Sequence, residues 1–127
     1  NALQRSLRSL KRYNVPLQVM VITPSVTTGV TADEYIEPAT GINNRGNSLA
    51  PSRELSLEVQ NGAYQAVIDI INDPSFDYVT GINSWGYHFR DDLFYGYEPG
   101  DADYQKSANV RRKPAEQLLA KWYKEWD

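Results

Sequence analysis

The sequence predicts an α/β fold with parallel strands, and three observations lead there. Helix-like and strand-like stretches alternate along the 127 residues in the order helix, strand, helix, strand, helix. The first strand candidate is almost continuously apolar, the pattern of a strand buried on both faces, as in parallel sheets. The helix between the strands is long enough to carry the chain back over a sheet, which a parallel connection requires.

Each element has its own warrant. Leu3, Leu7 and Leu10 recur at helical spacing among Arg5, Arg8, Lys11 and Arg12, so residues 2–13 are predicted as an amphipathic helix ended by Asn14 and Pro16. Pro16 to Thr23 is the β-branched, apolar strand. Residues 24–53 hold three Pro and three Gly without periodicity, a loop long enough to be site-forming or a mobile insert. From Glu54 to Asn72 an apolar stripe of Leu55, Val59, Ala63, Ala66, Val67, Ile70 and Ile71 predicts a second helix, stopped by Asp73-Pro74. Residues 76–83 read as a second strand in which Gly81 admits close backbone approach. A second long loop, 84–112, leads to Lys113-Pro114-Ala115, where Pro suits a first helical turn. The last helix carries Ala115, Leu118, Leu119, Trp122 and Trp126 on one face.

Two strands alone leave both sheet edges unpaired and apolar faces uncovered. Further strands are therefore expected from an N-terminal part not included in the sequence, or from a partner chain. The start at Asn1 rather than Met fits a processed protein or a segment of a longer one.

Composition narrows the chemistry. At 14.4 kDa and 41% hydrophobic, residues 1–127 suit one compact segment. With no Cys and one His, disulfides, a thiol nucleophile and a multi-histidine metal site are excluded, and neither a metal nor a cofactor is expected. The longest apolar run, Val19 to Ile22, is far short of the ~20 residues that span a bilayer, so no membrane span is expected. The net charge is −3, but residues 1–32 carry four cations and no acid while the remainder sums to −7 (9 basic, 16 acidic). The aromatic-rich part is thus acidic and repels a polyanion, so nucleic acid is not an expected partner.

The second loop holds the chemistry. Seven of the chain's fifteen aromatics lie between Trp85 and Tyr104, with the only His and several acids. Aromatic faces stack on the C–H face of a sugar while Asp, Arg and His bond its hydroxyls, so Trp85, Tyr87, His88, Arg90, Asp91 and Asp92 are the candidate carbohydrate-binding residues. Asp91 and Asp92 are adjacent, so one of them faces a pocket. The alternatives are aromatics packed over the core end, or a protein-interaction surface using Trp85, Tyr95 and Tyr97. Glu98, Asp101 and Asp103 match no EF-hand spacing. In the first loop, Glu34 and Glu37 read as exposed acids. No Gly-rich phosphate loop, GxSxG elbow or HExxH occurs, which leaves paired carboxylates, the chemistry of glycosidases.

Four stretches carry a family resemblance: Val15-Pro-Leu-Gln-Val-Met-Val-Ile-Thr-Pro-Ser25, Gln60-Asn-Gly-Ala-Tyr-Gln-Ala66, Tyr78-Val-Thr-Gly-Ile-Asn-Ser-Trp-Gly-Tyr87 and Val110-Arg-Arg-Lys-Pro-Ala-Glu-Gln-Leu-Leu119. Together they resemble the last quarter of TIM-barrel glycoside hydrolases of the retaining β-glycosidase type, mannanase-like members included. The resemblance implies the C-terminal βαβα portion of a (β/α)8 barrel, incomplete on its own, with Trp85 flooring the sugar subsite beside the cleaved bond. It also implies a nucleophilic Glu near the end of strand seven. Residues 15–32 contain no Asp or Glu, which leaves Glu37 as the nearest candidate nucleophile, or else a non-catalytic glycan-binding or structural surface protein.

Overall fold

The computed structural model describes residues 1–27, 54–84, 106 and 108–126. Helix α1, Ala2–Leu10, starts from a capping box: the Asn1 side chain accepts from the Gln4 N–H at 3.1 Å and the Gln4 side chain reaches back to the Asn1 amine at 2.9 Å. It tightens into a 3₁₀ turn, Lys11–Tyr13, and stops at Asn14 in the left-handed region, φ 52°. Only Leu7 of its apolar positions is buried. Strand β1, Leu17–Val21, follows; α2, Leu57–Ile71, begins at Ser56, whose hydroxyl accepts from the Val59 N–H at 3.3 Å. A 3₁₀ turn, Pro74–Phe76, is capped by Asp73 and precedes β2, Val79–Ser84. Helix α3, Pro114–Glu125, has Pro at its first position, as the sequence predicts.

Among the described residues β1 and β2 form a two-stranded parallel sheet. The register runs from Leu17 opposite Val79, through an irregularity at Leu17/Gln18, to Val21 opposite Ser84. Leu7, Val21, Tyr64, Ile68, Phe76, Val79, Ile82 and Trp122 belong to one core cluster drawn from α1, α2, α3, β1, β2 and the Pro74–Phe76 turn.

This arrangement overturns the expected barrel portion. Among the described residues there are three α-helices and a two-stranded parallel sheet, only weakly α/β and not a barrel portion. The physical reason lies in β1. A barrel strand is covered on both faces, by the lumen on one and by helices on the other. In β1 the residues alternate: Val21 is buried and Leu17 and Val19 are half-buried, but Gln18 is exposed and Met20 is 53% exposed. Gln18 shares its face with Asn83, whose Nδ2 donates to the Gln18 Oε1 at 2.7 Å. A nearly unbroken apolar run is thus a one-sided strand whose outer face carries Met20. Among the described residues no helix is long and apolar enough to cross a membrane.

The face of α2 differs from the apolar stripe as well. Its buried residues are Gln60, Tyr64, Ile68 and Ile71, while Val59 and Ala66 are exposed. The helix turns its two polar side chains inward because they satisfy carbonyls that the strand ends leave open. Gly81 is not a point of forced approach either: a Cβ there meets Tyr123 Oη at 3.5 Å and the Gln18 side chain at 3.6 Å, ordinary contacts.

On β2 the Tyr123 hydroxyl accepts from the Ile82 N–H at 2.9 Å and donates to the Ile82 carbonyl. One side chain of α3 thereby occupies a donor and an acceptor of the strand backbone, blunting its capacity to pair with another chain. Tyr123→Phe is expected to cost about 1–2 kcal/mol in urea unfolding, since both bonds go and the two backbone groups stay partly buried. A midpoint equal to that of wild type would show that the hydroxyl holds nothing.

Candidate functional site

Every sequence-predicted site residue lies outside the described residues: Glu37 in the first long segment, and Trp85, Tyr87, His88, Arg90, Asp91 and Asp92 in the second. Glu34, Tyr95, Tyr97, Glu98, Asp101 and Asp103 lie outside them too. What the structure describes is the base from which both long segments spring. Val21 and Ser84, the last residues of the two strands, are register partners, so the chain leaves β1 and β2 side by side at one end of the sheet. Trp85 is the next residue in the chain.

The entry and return points of the two segments are tied together. The Ser25 N–H donates to the Lys106 carbonyl at 3.0 Å and the Ser25 carbonyl accepts from the Ser56 N–H at 2.8 Å. Thr27 N–H donates to the Glu54 carbonyl at 3.0 Å, and Val26 bridges antiparallel to Leu55. Gln60 Nε2 then reaches across from α2 to the carbonyls of Thr23 at 3.0 Å, Ala108 at 3.2 Å and Asn109 at 3.4 Å. Tyr64, one turn further on, donates from its hydroxyl to the Val21 carbonyl at 3.3 Å. Burial pushes the Tyr64 phenol well above its ordinary pKa, and a hydrogen bond with Ser84 offsets only part of this.

The return of the second segment is built the same way. Asn109 is buried and its Oδ1 accepts from the Arg111 N–H at 2.9 Å, a local turn. Arg112 sits at φ 59°, and its N–H donates to the Glu116 carboxylate at 2.7 Å, which fixes the chain as it enters α3. Lys113, the N-cap of α3, sends its amine inward to donate to Ser25 Oγ at 3.0 Å. Lys113 is only 5% exposed, and burial lowers its pKa from 10.5 to about 7.

An amine with such a pKa beside a serine hydroxyl is the pairing of a base and a nucleophile. Ser25, however, is 0% exposed, so no substrate carbonyl reaches Oγ in this conformation. The pair acts as a pin: it fastens the start of the first long segment to the end of the second. Sequence reasoning missed Ser25, Gln60, Asn109 and Lys113. The only signal available was Gln60 at helical spacing with Tyr64 and Ile68, a polar residue on what proves to be the buried face. Among the described residues no three His, Cys, Asp or Glu side chains come together as a metal site.

Comparison with known proteins finds no matching family model, no matching curated protein and no matching solved structure.

Proposed function

We propose that this protein binds a carbohydrate through the segment that follows β2, with Trp85 as a stacking platform and Tyr87, His88, Arg90, Asp91 and Asp92 supplying aromatic and hydrogen-bonding contacts. The observation that carries the reading is the shared base: the acidic, aromatic segment and the first long segment start from register-matched strand ends and are pinned together by Gln60 and the Ser25–Lys113 pair. Ligand sites of parallel α/β sheets lie beyond the carboxyl ends of the strands, where these segments begin. Binding is favoured over hydrolysis because residues 15–32 contain no acid, so the stretch that leaves β1 supplies no carboxylate toward the pair a glycosidase needs.

The test is a calorimetric titration of the full chain with soluble β-linked oligosaccharides, mannose- and glucose-based series in parallel. Saturable binding is expected, weakened about tenfold or more in Trp85→Ala through loss of ring stacking. Release of reducing sugar on prolonged incubation would replace this reading with the hydrolase. Absence of binding to every series, or binding indifferent to Trp85→Ala, would remove the carbohydrate assignment from this segment.

A further inference from the structure

We infer that a cleft at the opposite end of the strand pair binds a small organic cation, an alkylammonium compound. The cleft lies where α2 ends and β2 begins, lined by residues 71–74, 76, 77 and 79 and by the end of α3. Its volume of about 450 Å³ falls in the range of small-ligand sites. Trp122, Trp126 and Phe76 line it, and its charged lining residues are Asp73, Asp77 and Glu125; no Lys, Arg or His lines it among the described residues.

Two features select a cation. First, two helices point the same pole at it. α2 ends at Ile71 with Asn72 as its C-cap, α3 ends at Glu125 with Trp126 as its C-cap, and all four residues line the cleft. Helix C-termini carry roughly half a negative charge each, and the last turn of α2 has no basic residue to offset it. Second, the nearby cations leave the carboxylates largely unneutralised. Lys121 Nζ stands 4.0 Å from Glu125 with both side chains mostly exposed, and such pairs are weak. Lys124, in the last turn of α3, does not line the cleft. Asp73 is held in its charged form mainly by hydrogen bonds from Ser75, with Arg8 adding a smaller attraction from α1.

Among the lining aromatics Trp126 is the one open to the same ligand: Phe76 is 0% exposed with Arg8 5.7 Å from its ring centroid, and Trp122 is 7% exposed. Trp126 is 38% exposed and packs edge-on against Trp122 with centroids 4.1 Å apart. An exposed indole beside carboxylates is the recognition chemistry of alkylated ammonium groups. None of these residues belongs to the carbohydrate segment, so either site can fail without the other.

The test is a choline chloride titration of the full chain, followed by NMR on the indole N–H resonances assigned by substitution. Saturable shifts of Trp122 and Trp126 are expected, with Trp85 unmoved and with no response to glucose or sodium chloride at matched concentration. Trp126→Ala, at an exposed helix end, should weaken choline about tenfold, and Asp77→Asn about threefold. Shifts reproduced by glucose, no saturable shift up to about 50 mM choline, or wild-type affinity in both variants would each overturn the inference.

Discussion

Replacing Gln60 by Leu is expected to destabilise the protein by about 3–5 kcal/mol, although the exchange makes the middle of a helix more apolar and changes side-chain volume little. Gln60 is 0% exposed and its amide serves the carbonyls of Thr23, Ala108 and Asn109, one from the end of β1 and two from the return of the second long segment. Leu cannot donate, so buried carbonyls lose their partner, and each such orphan costs about 1–3 kcal/mol. The exposed neighbour Gln65 is the control: its amide bonds only Asp69 one turn along, at 2.7 Å, and Gln65→Leu should fall within about 0.5 kcal/mol of wild type. Urea unfolding of the three proteins decides the matter. Equal midpoints for the two variants would mean that the buried amide does no more than a surface one. Because Gln60 joins the bases of both long segments, its loss should also weaken oligosaccharide binding before it unfolds the chain.

That glutamine marks where sequence reasoning stops. Helix and strand order follow from local periodicity and turn chemistry, so α2, α3 and both strands fall close to where Pro16, Asp73-Pro74 and Pro114 punctuate the chain. Which face is covered does not follow, because it depends on what packs from elsewhere. The run from Leu17 to Val21 looks doubly buried as a string, yet Met20 and Gln18 face out. A strand buried on both faces is what the barrel expectation requires, and β1 is not one. In α2 the apolar stripe points one way and the buried row of Gln60, Tyr64, Ile68 and Ile71 another. The polar members of that row answer carbonyls distant in sequence, 37 to 49 residues away in the case of Gln60. Lys113 is harder still: beside Pro114 it marks only a helix start, and the fold alone brings Ser25 within reach of its amine.

Lys113 gives the protein a pH dependence of definite sign. In the unfolded chain its amine titrates near 10.5, and in the folded protein burial brings this to about 7. Below pH 7 both states hold the proton, and folding must bury the charge. Between pH 7 and 10.5 the folded state releases the proton while the unfolded state keeps it, so the unfolded state binds more protons and stability rises with pH. At about 1.4 kcal/mol per pKa unit, the gain from pH 7 to pH 9.5 is about 3 kcal/mol. Tyr64 works in the opposite direction only above about pH 10, where the unfolded phenol ionises and the buried one does not, so the window stays clear of it. In Lys113→Met the dependence should vanish, leaving the variant no less stable than wild type at pH 6 and less stable at pH 9.5. Urea unfolding of both proteins across that range is the measurement. Parallel curves would show that the amine is solvated in the folded state, and the Ser25 pin would fall with it. A difference that widens with pH would establish that the joint between the two long segments is held by a neutral amine.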